Sequence, residues 1–292
     1  MNMKNERKHI TPKKSLGQNF LIDKNVVERI VAALKLQPGD SLLEIGPGEG
    51  ALTSLLATKP LASFLAVEYD PRAVALLSER LPAQQYPHFS LRQDDIRNIA
   101  LQQYTEEEFQ RHGKKLKVVG NIPYHVTIDI LFWLYDASST LDSAVIMMQK
   151  EVARRLIAPS RTKDYGILTV ATALRASARI LFDVAPGSFY SRPAVTSSVV
   201  ALTFPATALP AETYTRLKPL VNAAFNQRRK VLSNALKTYI TSRTPTPYAE
   251  ILERAESQGI LYFRKRAEEL TPQDFITLHN FLSDQTQPVP HI

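Results

Sequence analysis

The sequence predicts an α/β fold with a mostly parallel, doubly wound sheet, followed by a small helical C-terminal domain. Between residues 41 and 149, buried-strand patterns alternate with helical patterns through short connections, which is typical of a parallel sheet. After about residue 205, runs of β-branched residues become rare and helical patterns dominate. We therefore expect an N-terminal arm at residues 1–22, an α/β domain at 23–205 and a helical domain at 206–292.

Each predicted element rests on a local pattern. A first helix is expected after Asp23 as N-cap, because Val27, Ile30 and Val31 fall on one helical face. Pro at the first helical position marks two further helix starts, Asp70-Pro71 and Thr271-Pro272. The remaining elements are strands at 41–46, 63–70, 88–95, 115–121 and 142–149, helices at 51–58 and 125–135, a surface excursion at 102–114, and a loose tail at 286–292.

Composition excludes several classes of protein. With 44% hydrophobic and 22% charged residues, the 292-residue chain is typical of soluble globular proteins, and no apolar run approaches the ~20 residues that span a bilayer. The basic start has no apolar segment behind it, so no secretory signal is predicted. The absence of Cys excludes disulfides and thiolate metal sites and favours a cytoplasmic location. The six His show no metal-ligand spacing, so we expect no metal site.

Basic charge is concentrated at the two ends of the chain. Residues 1–35 carry eight Lys and Arg against three Asp and Glu, residues 206–292 carry eleven against eight, and the centre balances at seventeen each. Charge of this kind often marks only a solvated face. A basic arm that includes Lys13 and Lys14, together with a cluster at 228–230, nevertheless predicts a polyanion held from both flanks. Nucleic acid is favoured over a membrane because neither segment has a strong amphipathic aromatic face.

The turn after the first predicted strand of the sheet is rich in glycine. "EIGPGEG" (44–50) has glycines that let the backbone approach a ligand and turn tightly into a helix. It matches neither the Gly-x-Gly-x-x-Gly dinucleotide fingerprint nor a phosphate loop. Glu68 ends the next strand, where a carboxylate can accept hydrogen bonds from both hydroxyls of a ribose. The alternative role for Glu68 is that of a helix-capping or solvent-facing acid.

Two further clusters follow the next two strands. Asp94 could accept a hydrogen bond from an adenine amino group, and the neighbouring Asp95 leaves the assignment open. "GNIPY" (120–124) would, taken alone, predict only a turn. Ligands of open parallel sheets bind at the carboxyl ends of the strands, so the four clusters are expected at one site. In this order they resemble a class I methyltransferase that uses S-adenosylmethionine, a Rossmann-like fold.

Residues 121–124 suit chemistry on an exocyclic amine. The N6 amine of adenine is a poor nucleophile because its lone pair is delocalised into the ring. The side-chain carbonyl of Asn121 and the backbone carbonyl of Ile122 can accept from this amine, which favours the positive charge that develops as it attacks a sulfonium methyl. Tyr124 can stack on an extruded base, and Pro123 fixes the backbone that aims these groups. No general base is required, because the cationic product can lose its proton afterwards.

Four segments resemble the ribosomal RNA adenine N6,N6-dimethyltransferase family: "KKSLGQNFLID" (13–23), "EIGPGEGALT" (44–53), "GNIPY" and "FNQRRKVLSNAL" (225–236). The resemblance spans residues 10 to about 283. It is strongest to the small-subunit branch, which dimethylates two adjacent adenines in the 3′-terminal hairpin of 16S rRNA late in 30S assembly. It implies S-adenosylmethionine as cofactor, 16S rRNA in the 30S subunit or its precursor as partner, and no membrane partner; a monomer is expected.

The resemblance also implies roles for individual residues. Cofactor contacts are expected from Asn19, Leu21, Gly46, Glu68, Asp94 and Asn121. "FYSRPAVTS" (189–197) is similar to the family's Phe-x-Pro-x-Pro-x-Val-x-Ser, with Ser191 in place of the first Pro. Phe189 would cover the adenine opposite Tyr124, although an ordinary core aromatic is an equal alternative. rRNA contacts are expected from Arg228, Arg229, Lys230, Lys13 and Lys14, some of which could instead brace the domain junction.

Three alternatives to this function share some of the same residues. A 23S rRNA adenine methyltransferase of the macrolide-resistance type would have the same catalytic motifs, although residues 13–23 and 225–230 favour the small-subunit enzyme. A DNA amino methyltransferase is disfavoured because no target-recognition region of adequate size is visible. A non-catalytic ribosome-assembly factor on this fold is the third alternative, and the intact cofactor set argues against it.

Overall fold

The computed structural model describes residues 10–13 and 16–285, and these form two compact units. The first unit runs to Ala153 and resumes over Ser177–Ala206. The second unit comprises Arg154–Ala176 and the chain from Thr207 onward. The sequence placed the change of domain at residue 205 and so assigned 154–176 to the α/β domain, whereas these residues belong to the second unit. The predicted tail at 286–292 lies outside the described residues.

The strands of the first unit form one large sheet and one small one. The strands within the described residues are β1 (Phe20–Leu21), β2 (Ser41–Ile45), β3 (Ser63–Glu68), β4 (Phe89–Gln93), β5 (Leu116–Asn121), β6 (Leu141–Gln149), β7 (Ser177–Val184), β8 (Phe189–Tyr190) and β9 (Ser197–Thr203). The seven-stranded sheet has the order β4-β3-β2-β5-β6-β9-β7, and β1 pairs antiparallel with β8.

The large sheet is parallel from β4 to β6, and β9 pairs antiparallel with both β6 and β7. The chain leaves β2 towards β3 and β4 and then returns to β5 on the other side of β2. The change of direction creates a crevice at the carboxyl ends of β2 and β5, where open α/β sheets bind ligands. The predicted doubly wound α/β fold is confirmed.

Among the described residues, the α-helices that belong wholly or partly to the first unit are α1 (Lys24–Ala33), α2 (Thr53–Leu56), α3 (Pro71–Arg80), α4 (Leu101–His112), α5 (Thr127–Asp136) and α6 (Lys150–Leu156). The predicted start of α1 is confirmed, because the Asp23 carboxylate accepts from the backbone N–H groups of Asn25 and Val26. Asp70 caps α3 in the same way through the N–H of Arg72. Asp23 and Asp70 thus fix the starts of α1 and α3, the helices that follow Leu21 and Glu68 in the chain.

The surface excursion predicted at 102–114 is wrong, since α4 occupies most of it. Its exposed face is polar and is joined by i,i+4 contacts such as Gln102 to Glu106 and Arg111 to Glu107. Its buried face has only Leu101, Thr105 and Glu108, so the hydrophobic periodicity was too weak to predict a helix.

Helices dominate the second unit: α7 (Ile167–Arg175), α8 (Ala211–Asn226), α9 (Leu232–Ala235), α10 (Lys237–Thr241), α11 (Tyr248–Ser257) and α12 (Pro272–Asp284). Its core contains the ring cluster of Tyr165, Phe225 and Phe275. The predicted cap of α12 is confirmed, because Thr271 accepts from the N–H of Asp274. Within residues 10–13 and 16–285, no helix combines the length and apolar character needed to cross a bilayer.

Candidate active site

A cavity of about 340 Å³ opens in the first unit at the carboxyl ends of the parallel strands. Its lining joins all four clusters predicted from the sequence and the segment 16–21. Each of the six residues expected to contact the cofactor lines it: Asn19, Leu21, Gly46, Glu68, Asp94 and Asn121. The fold therefore brings together, from five chain segments, residues that are up to about a hundred positions apart in sequence.

The glycine turn between β2 and α2 forms one wall. Gly48 has φ of +55°, a conformation that side chains with a Cβ disfavour. A Cβ at this position would also lie 3.0 Å from the Phe20 ring. Glycine is therefore required here both by the backbone conformation and by the close approach of β1, and the turn's backbone borders the cavity directly.

Glu68 is held beside this turn by two backbone amides. Its Oε2 accepts from the N–H of Gly48 at 2.9 Å, and its Oε1 accepts from the N–H of Asp70 at 2.8 Å. The side chain is buried, which raises its pKa, while the hydrogen bonds from Asp70 and Gly48 act in the opposite direction. Each carboxylate oxygen has a further lone pair, so a fixed acceptor pair faces the cavity.

Glu44 is a candidate site residue that the sequence analysis missed. It lies within the buried strand β2, is 1% exposed and lines the cavity. Within the described chain, its Oε2 has no hydrogen-bond partner. Burial raises the pKa of Glu44 to about 8; the nearby Thr53 hydroxyl acts against this rise, and the charge of the neighbouring Glu68 adds to it. The available signal was an acidic residue inside an otherwise apolar strand, since such a group is costly unless a ligand or proton compensates it.

Both candidate aspartates after β4 line the cavity, so the choice between them stays open. The Asp94 carboxylate pairs with Arg92 at 2.6 Å and also accepts from Asn98 and from the N–H of Asp95. Asp95 pairs with Arg97 at 2.6 Å and caps the short 3-10 helix that follows. Each carboxylate is thereby fixed in position by cations and amides of its own loop.

The Asn121–Tyr124 segment ends β5 at the cavity. The Asn121 Nδ2 donates to the carbonyl of Asn19 at 2.9 Å, which orients the amide and leaves Oδ1 as the acceptor on its other side. Ile122 is anchored by its N–H, which donates to the carbonyl of Met147. Tyr124 is half-buried, and its hydroxyl lies 2.8 Å from the Ser197 Oγ. All four residues of this segment line the cavity.

The segment that carries Asn19 and Leu21 is hydrogen-bonded to the N-cap residue of α3. The Gln18 Nε2 donates to the Asp70 carboxylate at 2.8 Å, and the same carboxylate pairs with Arg72. The hydrogen bonds from Arg72, with that from Gln18, lower the pKa of Asp70 to about 2 despite its burial. Gln18 was quoted within a motif but given no role by the sequence analysis.

Phe189 is not brought to the cavity. It lies in β8 opposite Leu21, is 3% exposed and packs in the hydrophobic core. The structure therefore places it where the alternative interpretation, a core aromatic, expects it.

The residues expected to bind RNA have different surroundings. In the second unit, Arg228 bonds the Glu268 carboxylate and the carbonyls of Lys163 and Thr162 at 2.7–2.8 Å. Arg229 and Lys230 are exposed, as is Lys13. Lys14 lies outside the described residues. Over the described ranges, no group of three or more His, Cys, Asp or Glu is placed to hold a metal ion.

The chain is similar to known proteins over most of its length. A family model described as ribosomal RNA adenine dimethylase matches residues 10–270. A relative from Chlorobaculum parvum, named ribosomal RNA small subunit methyltransferase A, is 41% identical over 269 residues, covering 91% of this chain and 92% of the relative. A protein of the same name from Salinibacter ruber is 38% identical, covering 96% and 88% of the two chains.

Two solved structures share the fold. A dimethyladenosine transferase from Plasmodium falciparum aligns with a TM-score of 0.77 at 21% identity, over 91% of this chain and 98% of its own. The 23S rRNA methyltransferase ErmE aligns with a TM-score of 0.63 at 25% identity, over 91% and 100% of the two chains. The chain belongs to the ribosomal RNA adenine dimethylase family and is an enzyme that uses S-adenosylmethionine as methyl donor.

Proposed function

We propose that this enzyme dimethylates N6 of two adjacent adenines in the 3′-terminal hairpin of 16S rRNA, acting in the cytoplasm as a monomer on the 30S subunit or its precursor. The observation that carries the adenine chemistry is the orientation of Asn121, whose amide is fixed by the Asn19 carbonyl in the cavity that Tyr124 also lines. The small-subunit assignment is supported by the names of the relatives that are 41% and 38% identical. ErmE, named for 23S rRNA, is less similar at 25%.

The residues of the cavity fit S-adenosylmethionine. Glu44 offers a buried carboxyl oxygen without a partner in the described chain, which suits a ligand that carries positive charge. Glu68 offers two fixed acceptors for ribose hydroxyls, and Asp94 or Asp95 an acceptor for the adenine amine. The glycine turn allows the ligand to approach the backbone. When bound, S-adenosylmethionine supplies an electrophilic methyl group on a sulfonium centre.

The chain's own residues orient the target amine. The Asn121 Oδ1 and the Ile122 carbonyl accept from the amino group, which favours positive charge on N6 in the transition state. Tyr124 stacks on the extruded base and holds N6 in line with the methyl group. Methyl transfer leaves a positive charge on N6, so this nitrogen can release its proton to water. No side chain therefore has to act as a base.

Docking to the small subunit is the part of the proposal that rests on charge. Arg229 and Lys230 are exposed after the end of α8, and Lys13 is exposed in the N-terminal segment. Such cations contact phosphates and make affinity depend on salt. Arg228 instead has three intramolecular partners, so we assign it to bracing this part of the second unit.

Methyl mapping tests the proposal. The protein is incubated with labelled S-adenosylmethionine and undermethylated 30S particles, with 50S particles in a parallel reaction, and the labelled nucleotides are mapped. We expect two adjacent dimethyladenosines in the 3′-terminal hairpin of 16S rRNA. Label in 23S rRNA would show the rival specificity, and 30S binding without label would show a non-catalytic assembly factor.

A further inference from the structure

Tyr124 and Ser197 are joined by a hydrogen bond that the proposed chemistry does not yet use. The Tyr124 hydroxyl and the Ser197 Oγ lie 2.8 Å apart, although the residues are 73 positions apart in the chain. Tyr124 lines the cavity, whereas Ser197 is 1% exposed within the sheet. The bond therefore links the edge of the cavity to the interior of the protein.

Ser197 is a rigid anchor for this bond. It begins β9, which lies between β6 and β7, and is paired with Gln149 on one side and Val184 on the other. A strand held by neighbours on both sides gives its side chains little freedom to move. Burial raises the pKa of Tyr124, so its hydroxyl keeps its proton through the neutral range and remains able to form the bond.

The other end of the Tyr124 side chain is also fixed. Its backbone follows Pro123, whose ring restricts φ. The Pro123 carbonyl accepts from the Thr127 Oγ1 at 3.2 Å, which ties the segment to the start of α5. The hydroxyl lies at the far end of the ring axis, so fixing the backbone and the hydroxyl sets the direction of that axis and therefore where the ring lies.

We infer that Ser197 is a positioning residue for methyl transfer, which holds the ring of Tyr124 in place to receive the target adenine. This inference rests on the proposed role of Tyr124 in stacking on that base. A ring whose axis is already fixed loses less freedom when the base arrives, so the base is held in line at lower entropic cost. Ser197 is the last residue of the "FYSRPAVTS" stretch, and it connects that stretch to the Asn121–Tyr124 segment.

The test measures single-turnover methylation of undermethylated 30S particles by four variants. Ser197→Ala and Tyr124→Phe remove the same bond from opposite ends, and each should lower the rate about five- to twentyfold. Their double mutant should be no slower than either single mutant, because the bond can be removed only once. Ser197→Thr, which keeps the hydroxyl, should recover most of the rate. S-adenosylmethionine binding, measured by calorimetry, should stay within about twofold of the wild type, because this hydrogen bond lies outside the expected cofactor-binding residues.

The neighbouring Ser198 is the matched control. It is buried in the same strand, but its hydroxyl bonds the Asp183 carboxylate at 2.7 Å. Ser198→Ala should change thermal stability without changing the rate. Equal rate loss in Ser197→Ala and Ser198→Ala, or strictly additive effects of Ser197→Ala and Tyr124→Phe, would show a general structural role and overturn the inference.

Tyr124→Ala separates this inference from the proposed function. A slow Tyr124→Ala enzyme with a Ser197→Ala enzyme at wild-type rate would overturn the positioning role while leaving the stacking role intact. A Tyr124→Ala enzyme at wild-type rate would refute the stacking role and the inference built on it. Both roles would be supported if Tyr124→Ala, Ser197→Ala and Tyr124→Phe are all slower than the wild type and the effects of Ser197→Ala and Tyr124→Phe are not additive.

Discussion

Glu68 is the residue whose replacement most directly tests cofactor binding. Glu68→Ala removes the acceptors for two hydroxyls and also releases the N–H groups of Gly48 and Asp70. Leaving the ribose hydroxyls of the ligand without acceptors costs about 1–3 kcal/mol, so we expect S-adenosylmethionine to bind about five- to a hundredfold more weakly. Calorimetry measures the affinity, with Glu79→Ala, an exposed glutamate of α3, as control. Equal affinities of the two variants would contradict the role of Glu68.

Glu44 predicts a pH dependence of both stability and cofactor binding. Burial raises its pKa from 4.5 to about 8 in the folded protein, with a further contribution from Glu68. Between these two values the folded state keeps a proton that the unfolded state has released. Stability of the free protein should therefore fall as pH rises from about 4.5 through about 8, by at most about 1.4 kcal/mol per pH unit.

A positively charged ligand beside Glu44 favours its ionised form, so cofactor affinity should rise over the same interval. Urea unfolding and calorimetry at several pH values measure the two trends, and calorimetry in buffers of different ionisation enthalpy measures proton release on binding. Glu44→Gln cannot ionise and should flatten both profiles. A wild-type protein with neither trend between pH 5 and 8 would show that Glu44 does not titrate there.

At the scale of single residues, the sequence predicted which residues line the cavity better than it predicted the contacts that hold those residues in place. The order of the four clusters placed Glu68 and Asn121 at one site because parallel strands end at a common edge. It did not reveal Glu44, since a strand pattern does not show which buried residue opens onto a cavity. It also left Phe189 undecided, because only its burial in the folded core shows where the ring lies.

At the scale of elements, the segment 16–21 forms one wall of the cavity. Gln18 joins it to Asp70 at the start of α3, and Asp70 is fixed in turn by Arg72. Gln18→Ala should loosen the segment that carries Asn19 and Leu21, and should weaken S-adenosylmethionine binding about three- to tenfold while changing thermal stability little. Calorimetry and thermal unfolding measure the two effects.

A matched control for Gln18 lies on the surface of α4. Gln103 is exposed and donates to Glu107, so Gln103→Ala removes a similar hydrogen bond far from the cavity lining. Its cofactor affinity should equal that of the wild type. If both glutamine variants bind the cofactor normally, the contact between Gln18 and Asp70 does not hold the segment in place.

Helices whose starts carry capping residues were predictable from the sequence, and a helix without a side-chain cap was not. The starts of α1 and α12 carry side-chain caps at Asp23 and Thr271, which the sequence displays directly. Helix α4 has few apolar residues and was missed, because its stability depends on polar i,i+4 pairs and on the sheet beside it. The assignment of 154–176 to the second unit depends on tertiary contacts, which no local pattern records.

At the scale of the whole molecule, the net charge of +8 is concentrated outside the balanced centre of the chain. The Asn121 amide and the Tyr124 ring can hold an adenine at the cavity, but they cannot select it among the many adenines in rRNA. Selection therefore requires contacts to RNA shape and phosphates. The residues of the basic cluster after α8 have two kinds of surroundings. Arg228 is bonded to Glu268 and two carbonyls, whereas Arg229 and Lys230 are exposed.

This division predicts different outcomes for neighbouring substitutions. Arg229→Ala combined with Lys230→Ala should weaken 30S binding and reduce its salt slope by about two, because two phosphates would no longer be neutralised by the protein. Thermal stability and S-adenosylmethionine binding should not change. Arg228→Ala should instead lower thermal stability, because it removes one donor from each of the Glu268 carboxylate and the two carbonyls.

The control removes the same charge elsewhere in the second unit. Arg254 and Arg264 pair with Glu250 and Glu256, so Arg254→Ala combined with Arg264→Ala changes the net charge equally without touching the cluster after α8. If only total charge matters, both double variants will weaken 30S binding to the same extent. If Arg229 and Lys230 contact phosphates, only their double variant will bind less tightly and with a smaller salt slope. Unchanged 30S binding by that variant would place the docking surface elsewhere on the molecule.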